Sequence, residues 1–283
     1  MRKKSRFIVS PEWLKERLGQ EGVRVVDASW YLPAHKRDAK AEYAAGHIPG
    51  AVFFDIDEIS DATSPLPHML ARPEDFARVA GAMGISDSDT IIVYDGMGLF
   101  SAGRVWWNFR VMGAQNVLIL DGGLPAWKAK GLALNTEIPA PEHKTFNAVF
   151  DAGAVRSKND VLDIVASGSA QLVDSRPADR FSGASPEPRP GLRSGHIPGA
   201  KSIPFSEFVK DGELKELYGL RALFEKQGLD LNAPIVASCG SGVSAALVAL
   251  ALTSLDAPQH ALYDGSWAEW GMPGGTPLET GGA

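Results

Sequence analysis

The chain has 283 residues, about twice a common domain length, so two domains are expected. With 45% apolar and 22% charged residues it is too apolar for disorder, and a formal charge of 28 − 34 = −6 without a basic stripe argues against nucleic-acid or anionic-membrane binding. The longest strongly apolar run, 243–252, falls far short of the roughly 20 residues that span a bilayer. In chain order, the start MRKKSRFIVSPEW is basic but is followed by no apolar signal core, so a soluble cytoplasmic protein is expected. Ser10-Pro11-Glu12 then supplies an N-cap, a proline at the first helical position and an early acid. Trp13, Leu14 and Leu18 share one face of that helix, and Gly19 is its stop. Short apolar runs at 23–26, 91–94 and 117–120 read as buried strands, with helical periodicity at 73–83. The segment 135–152 loses periodicity, carries prolines and reads as a linker. Beyond it the pattern resumes, with helices at 160–166 and 217–227, strands at 172–173, 235–237 and 261–263, and an apolar helix from Val243. Alternating strands and helices imply an α/β fold, a mostly parallel sheet flanked by helices. The Gly/Pro/Thr-rich tail from Pro273 is expected to fray.

The two halves repeat one another. HIPGA stands at 47–51 and again at 196–200. RVVDAS and QLVDSR precede the two copies, and IIVYDG and PIVASCG follow them. Each half closes on a strand, a turn and a tryptophan, LILDGGLPAW and ALYDGSWAEW. Four landmarks in one order mark two homologous domains, 1–134 and 153–283, joined by the linker 135–152. His47 and His196 recur in both halves, so they are assigned to structure, holding the turn, and not to catalysis.

The single cysteine excludes an intramolecular disulfide, and no CxxC pair is present for zinc or an iron–sulfur cluster. Cys239 ends a predicted strand and opens a glycine loop that leads into a helix, the end of an open α/β sheet where sites are built. Gly240 and Gly242 permit positive φ, so successive backbone N–H groups can converge into an anion-binding nest that favours a thiolate. The competing reading is a small buried core cysteine. The glycine loop and the helix start favour the nest.

These halves, with the loop Cys239-Gly240-Ser241-Gly242-Val243-Ser244-Ala245, resemble tandem-domain rhodanese-family sulfurtransferases, and within them the 3-mercaptopyruvate branch, whose loop is usually CGSGVTA. Ser244 replaces the usual threonine and keeps the hydroxyl. The resemblance spans roughly Ser10 to Trp270 and implies a catalytic C-terminal domain beside an N-terminal domain without its own cysteine. The position near Asp95 and Gly96 indeed offers no thiol. The implied chemistry is transfer of sulfur from 3-mercaptopyruvate to Cys239 as a persulfide, with release of pyruvate. A thiol acceptor such as thioredoxin or a small thiol, or cyanide, then takes the sulfur. No metal or organic cofactor is implied.

The resemblance assigns substrate binding to Arg180 and Arg189, against the alternative of a solvated loop in which Arg193 is a neighbouring competitor. It also implies a proton relay of Ser241, His68 and Asp57, with the last two reaching over from the N-terminal domain. The alternative there is an interdomain loop in which Asp57 caps a turn and His68 packs. Rival functions are a thiosulfate sulfurtransferase, whose loop carries cations where Gly240 and Ser241 stand, and a non-enzymatic persulfide-relay module. A cysteine phosphatase is excluded by Ala245 where its loop needs arginine, and a phosphate-binding P-loop by the lack of Gly-Lys-Ser/Thr.

Overall fold

The computed structural model describes residues 3–282; the first two residues of the basic start and the last residue of the tail lie outside it. The first half runs β1 (Ile8–Val9), α1 (Pro11–Lys15), β2 (Val23–Asp27), α2 (Ala39–Ala45), β3 (Val52–Phe53), α3 (Pro73–Ala82), β4 (Thr90–Tyr94), α4 (Ala102–Val111), β5 (Asn116–Leu120) and α5 (Gly123–Ala129). The second runs β6 (Val155–Arg156), α6 (Lys158–Ser167), β7 (Gln171–Asp174), α7 (Ala178–Ser182), β8 (Lys201–Ser202), β9 (Val209–Lys210), β10 (Glu213–Leu214), α8 (Leu217–Lys226), β11 (Ile235–Ser238), α9 (Ala245–Ser254), β12 (His260–Tyr263) and α10 (Ser266–Trp270).

Each half forms a five-stranded parallel sheet, ordered β1-β5-β4-β2-β3 and β6-β12-β11-β7-β8. The topology is the same twice, as the repeated landmarks require. The central strands β4 and β11 are apolar along nearly their whole length because helices cover both faces of each sheet. The expected strands all appear. The two-residue strands β1, β3, β6 and β8 are too short to show a period, and only sheet pairing reveals them.

The domains meet through α4 and α9, which pack against one another. α9 is apolar all round because its own sheet covers one side and α4 the other. One continuous core therefore runs from Phe7 and Trp106 in the first half to Leu247 and Leu262 in the second. Gly103 makes the close approach possible, since a Cβ there would lie 2.8 Å from Leu247 Cδ2.

The repeated histidines serve structure in matching ways. His47 Nδ1 donates to Tyr43 O (2.8 Å) and its ring stacks on Tyr43, while His196 Nδ1 donates to Phe181 O (2.9 Å) and stacks on Phe181. Their backbones bridge to Asn135 and Glu279, tying each turn to the segment that leaves its domain.

Two expectations are corrected. α1 ends at Lys15, ahead of Leu18, and the chain reaches left-handed Gly19 (φ +75°) through a turn. The tail is docked: His196 and Glu279 exchange backbone hydrogen bonds, Gly281 N donates to Ser182 O, and Arg193 holds the carbonyls of Trp270 and Thr276 at 2.9 Å each. Polar backbone pairing does this, which composition does not show. The segment 135–152 carries only the start of a short helical turn and no strand, yet it straps the first domain: Phe146 is buried against Phe76 and Phe109, and Lys144 pairs with Asp89 at 2.8 Å.

If the α4–α9 contact sets the domain spacing, Gly103→Val overpacks it and costs about 1–3 kcal/mol of stability. Thermal unfolding reads this as a clear fall in Tm. An unchanged Tm would show that the helices separate freely.

Candidate active site

Cys239 is 2% exposed and follows directly on β11, as Asp95 follows on β4. The two positions are structurally equivalent: Cys239 O accepts from Trp267 N (2.9 Å) as Asp95 O accepts from Leu124 N (3.0 Å). α10 fixes the cysteine-bearing loop further. Ala268 N donates to Gly240 O (2.8 Å), and Cys239 N donates to Ser266 Oγ (3.2 Å). With the carbonyls turned outward to α10, the N–H groups of Gly240 to Ser244 find no acceptor among the described residues. These are orphan donors at the start of α9, next to the helix dipole and the thiol.

The first domain shows what such a loop binds. Asp95 is fully buried, and its carboxylate accepts from Met97 N (2.8 Å), Phe100 N (2.7 Å) and Ala102 N (2.9 Å). The same strand–loop–helix unit thus receives an anion from its own chain in one half and presents a cysteine in the other.

Of the loop glycines only Gly242 is left-handed (φ +77°), and a Cβ there would crowd Arg104 and Asp264. The expectation that Gly240 uses positive φ is corrected. Space does not require glycine there either: a Cβ at Gly240 would make ordinary contacts with Arg180 Nη2 (3.4 Å) and Arg189 Nη1 (3.8 Å). Both arginines therefore lie over the residue after the cysteine. Ser244, the residue before α9, holds Ser175 Oγ at 3.0 Å and anchors the helix start to the end of β7. Val243 and Ala245 are buried beneath the loop.

The two arginines differ electrostatically. Arg180 Nε (3.2 Å) and Nη2 both donate to Glu187, whose side chain is 2% exposed. Glu187 also accepts from buried Arg176 (2.8 Å), which is itself clamped by Asp174 (2.6 Å) and lies over the Trp267 ring. Arg189 has no carboxylate within ion-pair distance among the described residues and donates to Ser241 Oγ (3.3 Å). Burial lowers its pKa, opposed by the thiol of Cys239. Arg193 is spent on the tail and stays out of the site.

His68 does cross to the loop, with Asp57 behind it. Ser241 Oγ lies 2.8 Å from His68 Nδ1, and His68 Nε2 lies 2.8 Å from Asp57 Oδ1. The hydrogen bond from His68, partly opposed by burial, holds the Asp57 carboxyl below the ordinary range, so it is an acceptor at neutral pH. Nε2 must then carry the proton, which leaves Nδ1 to accept from the Ser241 hydroxyl. Trp30 Nε1 donates to the other Asp57 oxygen (3.0 Å) and its ring meets His68 edge-on. Because the folded pKa of Asp57 is depressed, its contribution is full above the unfolded value and is lost as pH falls through the folded one.

Arg104, unremarked in the sequence, holds these parts together. Its fully buried guanidinium donates to His68 O (2.6 Å) and Gly242 O (3.4 Å) and pairs with Asp264 (2.7 Å), which in turn accepts from Leu70 N (2.7 Å). His68 sits at φ +61°, a strained conformation for a non-glycine residue that this grip sustains. An arginine inside the apolar SAGRVWWNF helix was the available signal.

A family model described as a rhodanese-like domain matches residues 10–130 and 157–272. The chain is 47% identical over 277 residues to a 3-mercaptopyruvate sulfurtransferase of Escherichia coli K12, covering 96% of this chain and 98% of that one. It is 44% identical over 275 residues to the human protein of that name, covering 94% and 92%. A thiosulfate sulfurtransferase of Cricetulus griseus is 43% identical over 273 residues, covering 94% and 92%. Among solved structures, the Escherichia coli 3-mercaptopyruvate sulfotransferase SseA superposes with a TM-score of 0.85 at 45% identity, covering 93% of this chain and 99% of that one.

The paired loops make a contrast that unfolding can test. Asp95→Ala strands three amides and costs about 2–4 kcal/mol, whereas Cys239→Ala, whose loop amides lack a protein acceptor already, costs about 1 kcal/mol. Equal losses in denaturant unfolding would contradict the comparison.

Proposed function

The chain belongs to the rhodanese family, and from that membership we propose that it transfers sulfur from 3-mercaptopyruvate, through a persulfide on Cys239, to a thiol or cyanide acceptor, releasing pyruvate. The observation that carries this reading is a buried cysteine at a loop of unpaired amides, beneath two arginines that leave one guanidinium for a carboxylate. Residues 1–134 are taken as the non-catalytic half, 135–152 as the linker and 153–283 as the catalytic half.

In the first step the Cys239 thiolate attacks the substrate sulfur and the C–S bond breaks. The carbon fragment leaves with the electron pair as the pyruvate enolate, which takes a proton. The new S–S bond leaves a persulfide whose negative charge the amides of Gly240 to Ser244 stabilise. Arg189 holds the substrate carboxylate, and Arg180, engaged by Glu187, lines the binding site beside it. The Ser241–His68–Asp57 chain moves the proton between the substrate thiol and the departing carbon, with Asp57 holding the imidazole in the required tautomer. An acceptor thiol or cyanide then takes the outer sulfur and regenerates the thiolate. The chemistry needs Cys239 reduced, which suits the cytoplasm.

One named relative is a thiosulfate sulfurtransferase, so the donor is read from the site. Gly240 and Ser241 bring no charge to the loop, and the cations over it come from outside it, Arg180 from α7 and Arg189 from the segment after α7. That arrangement suits a donor held by a carboxylate at a distance from its sulfur.

Pyruvate release from 3-mercaptopyruvate with a thiol acceptor tests the reading. The wild type is expected to turn over and Cys239→Ser to be inactive while folded. A mutant with near-normal turnover would end the persulfide scheme.

The arginines give a finer test. Arg189→Ala is expected to lose roughly 2–4 kcal/mol in kcat/KM, and Arg180→Ala less, because its donors already face Glu187. Equal losses would contradict the assigned order.

A further inference from the structure

We propose that Glu187 is a specificity-determining and positioning residue: by occupying Arg180 it limits the pocket to one available guanidinium, Arg189, and so selects a donor carrying one negative charge over a compact dianion. The proposal rests on the sulfurtransferase reading above and assigns a role within that same site.

The charges facing the pocket are few and each has a place. Arg176 is held by Asp174 and touches Glu187. Arg180 reaches Glu187 through two nitrogens. Among the described residues Arg189 donates only to the Ser241 hydroxyl, and Asp57 is engaged with His68 and Trp30. Of the three guanidiniums, two are paired with the carboxylates of Asp174 and Glu187, which leaves Arg189, over Gly240, as the one without a carboxylate at ion-pair distance among the described residues; Asp57 acts on it only from further off. A donor with one carboxylate matches that single guanidinium. Thiosulfate brings two charges, and its departing sulfite needs a second cation near the sulfur.

Glu187 also fixes where Arg180 points. Its side chain is 2% exposed, and both oxygens are committed, one to Arg176 and Arg180 and the other to Arg180 alone. Glutamine has nearly the same shape but turns an NH2 group toward one of these donors. It removes a charge and releases Arg180 in one change.

The test measures kcat/KM for 3-mercaptopyruvate and for thiosulfate with the same acceptor, with Tm as a check on folding. Glu187→Gln is expected to raise the thiosulfate-to-mercaptopyruvate ratio about tenfold or more, as an added nearby charge implies. Glu187→Asp keeps the charge and is expected to hold the ratio near that of the wild type at a lower rate. The double variant Arg180→Gln/Glu187→Gln removes the pair together and is expected to return the ratio to the wild-type value. It also decides the matter should the single variant fail to fold. A ratio unmoved in Glu187→Gln, or a double variant that departs from the wild type as far as the single one, would overturn the proposal. A wild type that releases no pyruvate would instead defeat the sulfurtransferase reading, so the two failures are separable.

Discussion

A loop of backbone N–H groups without protein acceptors is costly inside a fold unless something negative meets it. That constraint organises the molecule. β11 delivers the chain to the loop, α10 takes its carbonyls, and α9, buried on every side, holds the first helical turn still beneath it. The first domain meets the same constraint with Asp95, whose carboxylate receives three of its own loop amides. Substituting a carboxylate for a thiol at one position thus separates a half whose loop amides are met within the chain from one whose loop amides are left open, while the sheets keep the same order.

The half without a cysteine is nonetheless part of the site. His68 and Asp57 come from its loop before α3 and Arg104 comes from α4; His68 and Arg104 touch the second domain, and Asp57 stands behind His68. Arg104 is the connecting piece, since one buried guanidinium binds the backbone of His68, the backbone of Gly242 and the carboxylate of Asp264. A buried ion pair of this kind adds little net stability, but breaking it leaves a charge uncompensated, so its value is in fixing the registry of the two domains. The α4–α9 contact and the Arg104 grip are parts of one interface, the apolar part giving the energy and the ionic part the alignment.

Much of this was legible in the sequence. The repeat, the strand–loop–helix around Cys239 and the arginine-bearing segment are local patterns, and the elements that carry them appear where periodicity places them. The Ser241–His68 pairing joins residues 173 positions apart, and only the family resemblance suggested it. Glu187 was invisible for a physical reason: a charged residue in a polar loop looks like a solvated one until its partners close around it. The docked tail was misread for a related reason, because its hydrogen bonds are made by backbone and carry no side-chain signature.

The central claim is that Cys239 holds the transferred sulfur as a stable anion between two separate half-reactions. Because 3-mercaptopyruvate is itself a thiol and in excess would act as an acceptor, mixing the enzyme with about one equivalent of it isolates the first of them. The account predicts release of about one pyruvate per chain, with the mass of one sulfur added to the peptide containing Cys239. Pyruvate release that leaves the Cys239 peptide unchanged in mass would contradict it.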